Sequence, residues 1–495
     1  MIFAFVLYFA AMLAIGLYFF NKEKGQGDDK SYFLGGRKMG PWVTALSAQA
    51  SDMSAWLLMG LPGSILAFGF GQAWIGIGLV IGTILNWIIV AAPLRRFSKA
   101  ANDSITLPQY LQNRFMSDSN VLSVICAIVF LASFTIYVAS GFVAGATVFT
   151  TIVPSLSDKT AMIIFAVILI TYTFLGGFNA VCWTDFIQGT LMLVALIAVP
   201  IVAAITLDFD KSALTAVYQY QGTDYNFVAD FFSADIKDII SGLGWGLGYF
   251  GMPHILVRFM SIEKPSMIKK SATVGIVWVV ISLVCAIFIA YIGRMTVGKE
   301  LLESGNQKLV FIALAKKCFP SFIAGILLAA IIAASMSTAD SQLLVASSSF
   351  TTDIYKPLFN KNASDKQILW LGRAVVLVVS VVAFFIASSK GAAAQAIMNL
   401  VENAWGIFGA AFGPVVILSL FWKRFTYKGA VTGIVVGAIV DITWLACLSS
   451  TGIYEIVPGF AAGLVAAVIA TLCDKEPSSE VKALFERASN KEFDD

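Results

Sequence analysis

The chain has 495 residues, of which 58% are hydrophobic and only 13% charged, with a formal net charge of +3. A soluble domain carries about 25% charged residues, so this deficit calls for an apolar solvent and excludes an ordinary globular protein. One histidine, His254, and six isolated cysteines without a CxxC pair leave no second partner for a His/Cys metal site or a nucleophile pair, so an enzyme is not expected.

Charges cluster between apolar runs of about 20 residues, the length that crosses a bilayer core. These runs are continuous rather than alternating, which rules out a membrane β-barrel. Met1 to Phe20 is apolar from its first residue and is followed by Asn21, Lys22 and Lys24. A signal peptide has its charges before the apolar stretch, so this segment reads as a retained first span with the N-terminus outside. Twelve more follow, at 42–68, 72–93, 121–150, 161–177, 185–206, 236–258, 272–293, 320–347, 369–388, 398–421, 428–448 and 456–473. The segments 21–41, 94–120, 178–184, 258–271, 348–373, 422–428 and 474–495 are then cytoplasmic and hold 24 of the 33 Lys and Arg residues. That asymmetry obeys the positive-inside rule. The longest outside segment, 207–235, carries Asp208, Asp210, Asp224 and Asp230. The tail 474–495 is polar, with a short amphipathic helix expected near Val481 to Phe485.

Two spans are internally interrupted. The second holds Gly60, Pro62 and Gly63, and the seventh reads SGLGWGLGYFGMPHI, with five glycines and Pro253. Glycine and proline weaken helical hydrogen bonding, which lipid tolerates only where the freed groups meet protein, ion or substrate. The alternative is that these glycines only permit close helix packing, the reading preferred for Gly141 and Gly145. If spans 2–6 and 7–11 are two halves, about 42–206 and 236–421, an interrupted helix opens each. An odd number of spans per half inverts one against the other, an architecture of secondary transporters. The chain then forms one all-α transmembrane domain, 1–473, with one additional span before the halves and two after them.

Within this frame the candidate residues are few. Arg37 precedes span 2 and is explained either by topology or by function. Asp52 lies deep in span 2, where a carboxylate is costly and marks an ion or substrate path. Asp185 reads as an N-cap at the start of span 6. Trp245 and Tyr249 are one turn apart and so share a face, serving either core packing or a small apolar ring; Trp56 and Tyr137 are further candidates. Arg258, beyond His254, reads as an interfacial anchor. In span 9, Ser337 and Thr338 either bond their own helix backbone or, beside a broken span 2, complete an oxygen cage for a hard monovalent cation. A channel is not expected, because neither a pore-lining ring nor a filter loop is evident.

The stretches YFLGGRKMGPWVTALSAQASDMSAWLLMGLPG, FTIYVASGFVAGA, YTFLGGFNAVCWTDFIQ, GLGWGLGYFGMPHILVRFM, AASMSTADSQLLV and FGAAFGPVVILSLFW resemble the sodium/solute symporter family. Among its members they are most similar to the bacterial sodium/proline symporters, over nearly the whole chain. The resemblance implies a LeuT-like fold of about 13 helices and sodium-coupled uptake of L-proline across the bacterial cytoplasmic membrane. Another small solute is the alternative cargo. It implies sodium binding by the carbonyls of Ala50, Met53 and Ala334 with the hydroxyls of Ser337 and Thr338, and sodium coupling through Asp52, Arg37 and Asp185. Substrate binding is implied for Ser54, Trp56, Tyr137, Trp245, Tyr249 and Pro253. The implied partners are proline, Na+ and the lipid bilayer, with no organic cofactor, no nucleic acid and a functional monomer. At Ala55, Met252 and Ser341 the chain departs from the family pattern.

Overall fold

The computed structural model describes residues 1–23, 29–175, 177–390 and 396–493. Lys24 of the first predicted cytoplasmic loop and Gly176 of YTFLGGFNAVCWTDFIQ lie outside the described residues. Among the described residues, ten helices are long and apolar enough to cross a bilayer. They are span 1 (Ile2–Phe19), span 3 (Phe70–Ala100), span 4 (Val121–Ile152), span 6 (Phe178–Thr206), span 8 (Pro265–Thr296), span 9 (Ser321–Leu358), span 10 (Asp365–Ser389), span 11 (Ile397–Phe421), span 12 (Tyr427–Cys447) and span 13 (Ile456–Cys473). The protein is therefore a multi-pass membrane protein. Apolar sequence leaves the backbone no water to bond, so helix is the state that satisfies each N–H and C=O internally. The other three predicted spans are not among these ten: span 5 is the helix Asp158–Leu175, and spans 2 and 7 are broken.

Span 2 is helical over Pro41–Asp52, leaves the helix at Met53 and Ser54, and resumes through the π-type turn Trp56–Gly60 into Leu61–Phe68. At the break the Ser54 N–H turns to the carbonyl of Asp52 at 3.0 Å. Span 7 runs Ile236–Gly244, narrows to a 3-10 stretch over Trp245–Phe250, and restarts as Pro253–Ser261. Pro253 stands at the first turn of the new helix, where its missing N–H costs nothing. The glycines of span 7 serve both packing and the break. A Cβ on Gly246 would come within 2.4 Å of the Gly78 carbonyl oxygen, and one on Gly251 within 2.2 Å of the Phe408 carbonyl oxygen. Gly145 is likewise a packing position, since its Cβ would lie 2.5 Å from Phe165, whereas at Gly141 the contacts are ordinary.

Span 9 is the central column, packed against spans 1, 4, 6 and 10 and against Pro41–Asp52. It stays helical through the π-type turn Ser349–Tyr355 to Leu358, beyond its predicted end at 347. Large apolar side chains such as Ile88, Ile205 and Phe385 are exposed, as a lipid-facing surface requires.

The ends of the bundle differ. At one end the 207–235 segment is structured and contains a two-stranded hairpin, Tyr218–Tyr220 with Thr223–Tyr225, a small exception to the predicted all-α fold. Its aspartates make local turns: Asp210 and Asp230 accept the N–H of Ser212 and Phe232, both at 3.0 Å, and Asp224 accepts from Gln219 at 2.8 Å. Arg294, at the end of span 8, donates to the carbonyls of Ala213 at 3.0 Å and Ala216 at 2.6 Å. Val228 is bonded on both sides of Gly69, accepting from Phe70 at 2.9 Å and donating to Phe68 at 3.1 Å. Gly69 has φ +83, and a Cβ there would meet Val228 at 2.4 Å, so only glycine fits this junction. At the opposite, tail end, the helix Ser479–Ser489 buries Val481, Leu484 and Ala488. It is longer than the predicted Val481 to Phe485.

Candidate functional site at two facing helix breaks

The break in span 2 frees the Ala50 carbonyl, because the Ser54 N–H that an unbroken helix would send to it points elsewhere. Ser337 Oγ of span 9 donates to that carbonyl at 2.8 Å and to its own Ala334 carbonyl at 3.2 Å. Thr338 Oγ1 is buried beside it with no hydrogen-bond partner among the described residues. Ala50, Met53 and Ala334 are each 0% exposed. Two helices thus bring uncharged oxygens together in a dry place, one set freed by a break and the other carried on hydroxyls. Such a donor set suits a hard monovalent cation that must also be released.

The break in span 7 supplies the other wall. Tyr249 donates its hydroxyl to Asp52 Oδ2 at 2.5 Å, and Tyr137 of span 4 reaches the Asp52 carbonyl at 3.4 Å. Asp52 is fully buried, and its second carboxylate oxygen has no hydrogen-bond partner among the described residues. Trp56 and Trp245 face each other with ring centroids 6.3 Å apart. Ser54 accepts from the Trp56 N–H at 3.4 Å, and Pro253 is buried at the start of the next helix. Five of the six predicted substrate residues, Ser54, Trp56, Tyr137, Trp245 and Tyr249, are therefore linked around the span 2 break, and Pro253 begins the helix that follows the span 7 break. At the hairpin end, a cavity of about 450 Å³ has Trp245 in its lining, together with Ile75, Asn403 and Tyr454.

Two facing breaks, a cradle of neutral oxygens and a cavity ending on an aromatic wall fit a membrane carrier. A family model described as the sodium:solute symporter family matches residues 32–437. The chain belongs to that family. Among curated relatives, the high-affinity proline transporter PutP of Bacillus subtilis (strain 168) is 43% identical over 96% of this chain and 98% of its own length. The sodium/proline symporter of Escherichia coli (strain K12) is 42% identical over 99% of this chain and 96% of its own. Among solved structures, a Na+-coupled sialic acid symporter in a substrate-bound outward-open state aligns with a TM-score of 0.74 at 21% identity, covering 96% of this chain and 98% of its own. A nucleobase-cation-symport-1 family transporter in a closed conformation aligns at 0.56 and 14%, covering 92% of this chain and 97% of its own. The fold is the LeuT-like one expected from the sequence.

In this symporter Asp185 and Arg37 stand apart from the cradle, in two hydrogen-bonded clusters towards the tail end. Asp185 is not an N-cap: span 6 starts at Phe178, two turns earlier, and Asp185 is 0% exposed. Its Oδ2 accepts from Ser47 at 2.7 Å and from Arg258 at 3.2 Å. Nor is Arg258 an interfacial anchor. It is 0% exposed, donates to Ser47, Ser341 and the His254 carbonyl, and lies 5.2 Å over the Phe178 ring. One cation therefore ties spans 2, 6, 7 and 9 together. Arg37 forms a second knot, donating to Asp103 at 2.8 Å, Ser98 at 3.1 Å and the carbonyls of Met260 and Ser104 at 2.5 and 2.7 Å. These partners exceed what topology alone requires of Arg37.

Several residues at the site escaped sequence reasoning. Trp405 of span 11 donates its indole N–H to the Trp245 carbonyl at 2.8 Å and meets Tyr249 edge-on at 5.2 Å. Tyr454 packs 5.1 Å from Trp245 and bonds the Glu402 carbonyl at 2.8 Å. The available signal for Trp405 was a tryptophan followed by Gly406 and Gly409; Arg258, at the last position of the predicted span 236–258, was noticed but read as an anchor.

Proposed function

We propose that this symporter couples inward movement of Na+ to uptake of L-proline across the bacterial cytoplasmic membrane by alternating access. The hairpin end faces outside with the N-terminus, and the tail is cytoplasmic. Residues 1–473 act as one transport domain, working as a monomer. The observation that carries the reading is the freed Ala50 carbonyl 2.8 Å from Ser337 Oγ, with Thr338 Oγ1 unpartnered next to it. Na+ entering there draws ligands from Ala50, Met53, Ala334, Ser337 and Thr338 and fastens span 2 to span 9. Asp52 balances part of the cation's charge from a neighbouring position and passes the change to Tyr249 through their hydrogen bond. The relatives named as proline transporters support proline as cargo. Its ring suits the wall of Trp56, Trp245 and Tyr249, while Ser54 and the backbone groups at both breaks offer partners to its charged ends. Arg258–Asp185 and the Arg37 knot then keep the cytoplasmic side shut until both ligands are held. Proline is net neutral, so each cycle moves one charge, and about 150 mV supplies roughly 3.5 kcal/mol.

The test is uptake of labelled proline into liposomes holding the purified protein, with and without an inward sodium gradient. Sodium-driven accumulation is expected, and in Ser337→Ala and Thr338→Ala the half-saturating sodium concentration rises by about tenfold or more, the loss of one oxygen ligand. Proline uptake that ignores sodium refutes the coupling; a different transported solute refutes only the cargo.

A further inference from the structure

The chain has nine arginines. Eight of them donate to a main-chain carbonyl, from Arg37 before span 2 to Arg487 in the tail helix. Arg373 is held differently. It lies inside span 10, about 12 Å along the helix from its first residue, Asp365. Its Nε is buried with no hydrogen-bond partner among the described residues. The guanidinium instead stands 4.7 Å from the ring centroid of Phe174, at the end of span 5, and 5.1 Å from that of Trp370. These two rings meet at 6.0 Å, closing a corner between the spans.

Aromatic faces attract a cation, but they offer its N–H groups no lone pair. A guanidinium within a span is costly unless an acceptor reaches it, and here the rings leave that need unmet. An ordinary interfacial anchor is the competing explanation, since Arg and Trp are common near span ends. An anchor keeps its polar head in water, however, and a buried Nε does not.

The surroundings of the corner are apolar and open to lipid. Trp370 is 55% exposed, Leu377 two turns further along span 10 is 50% exposed, and Val167 two turns before Phe174 on span 5 is 58% exposed. Spans 5 and 10 pack against each other, so these side chains border one seam. In the other direction along span 10, Lys366 is exposed and lies two turns from Arg373 on the same face. Two cations above an apolar seam match a molecule with an anionic head and a hydrocarbon tail. A planar guanidinium suits phosphate in particular, because it can donate two parallel N–H bonds.

We propose that Arg373, Lys366, Phe174 and Trp370 form a binding site for one anionic phospholipid of the leaflet at the tail end. Its phosphate sits on the Arg373 guanidinium, and an acyl chain lies along Val167 and Leu377. Lys366 favours a headgroup of net negative charge over a zwitterionic one, whose ammonium it repels. A free phosphate would satisfy the guanidinium and leave the apolar seam uncovered, so the lipid is the occupant that fits both parts. The site is independent of the transported solute and of the cradle.

Native mass spectrometry of the delipidated full-length protein in detergent, titrated with phosphatidylglycerol, tests this. One lipid is expected to bind more tightly than the rest. Arg373→Gln should weaken that binding about tenfold and Lys366→Gln about fivefold, the scale of one cation near an anionic lipid. Arg373→Lys, which keeps the charge and loses the planar fork, should fall between Arg373→Gln and the unaltered protein. Arg96→Gln, which removes an arginine bonded to the Ala488 carbonyl, should leave the affinity unchanged. Phosphatidylcholine should bind at least fivefold more weakly, and millimolar inorganic phosphate should not displace the bound lipid. Unchanged affinity in folded Arg373→Gln and Lys366→Gln protein overturns the proposal. So does displacement by inorganic phosphate, or binding of phosphatidylcholine as tight as that of phosphatidylglycerol.

Discussion

Replacing Asp185 with Asn is expected to open the tail end of the bundle. Asp185 and Arg258 are both 0% exposed and 3.2 Å apart. Breaking such a pair by removing one charge costs about 3–5 kcal/mol, because the other charge is left uncompensated. Here Ser47, Ser341 and the His254 carbonyl still accept from Arg258. A net loss of about 2 kcal/mol, roughly thirtyfold in an equilibrium constant, is the expected scale. The loss falls only on the state in which the contact exists, so it shifts the population towards the state open at that end. Cys182 is the built-in reporter: it is buried and lies one turn before Asp185 on span 6. With the other five cysteines replaced by serine, its rate of alkylation by a small water-soluble maleimide reads the opening. Asp185→Asn should raise that rate by roughly tenfold or more. Adding Arg258→Met should slow it again, since removing both charges is far less costly than removing one. An unchanged rate in correctly folded Asp185→Asn protein would show that the pair does not hold this end shut.

Three further outcomes follow from the geometry. Gly248→Ala should abolish uptake, because the added Cβ would lie 2.0 Å from Trp405 Nε1, whereas Gly40→Ala, with nothing within 4 Å, should leave it intact; paired uptake and folded-yield measurements decide. Trp405→Phe removes the hydrogen bond to the Trp245 carbonyl, worth about 1 kcal/mol, and should raise the KM for solute about fivefold with little change in maximal rate. The docking of Ser479–Ser489 should weaken in acid: the Lys423 ammonium hydrogen-bonded to Glu486 holds that carboxyl below its ordinary range, so its contribution is full above the ordinary carboxylate value and is lost as pH falls through the depressed one. Limited proteolysis of the tail at pH 7 and below pH 4.5 reads this, with faster cleavage expected in acid after allowance for the protease's own pH profile.

What the sequence revealed depended on range. Apolar length disclosed the spans because lipid imposes helix on any segment that crosses it. The two breaks were legible because Gly60, Pro62 and Gly63 in one span, and the glycines before Pro253 in the other, are local signals. Asp52 stood out because a carboxylate inside a span is rare. Pairings between distant helices carry no such signal. Asp185 resembled a cap, and Arg258 an anchor, only while span ends were read from composition; 73 positions separate them in the chain. Trp405 carried no distinguishing signal because an aromatic among small residues is ordinary in a helix bundle. The hairpin at 218–225 was missed because three-residue strands are too short to display alternation.

The Val228–Gly69 junction makes the extramembrane loop and the far portion of span 2 one mechanical body. Any rocking of Leu61–Phe68 must drag that strap with it, so a motion at the centre of the membrane is transmitted to the surface. A binder that grips the hairpin would act as a brake on the whole cycle, stalling turnover from a position that never touches cargo.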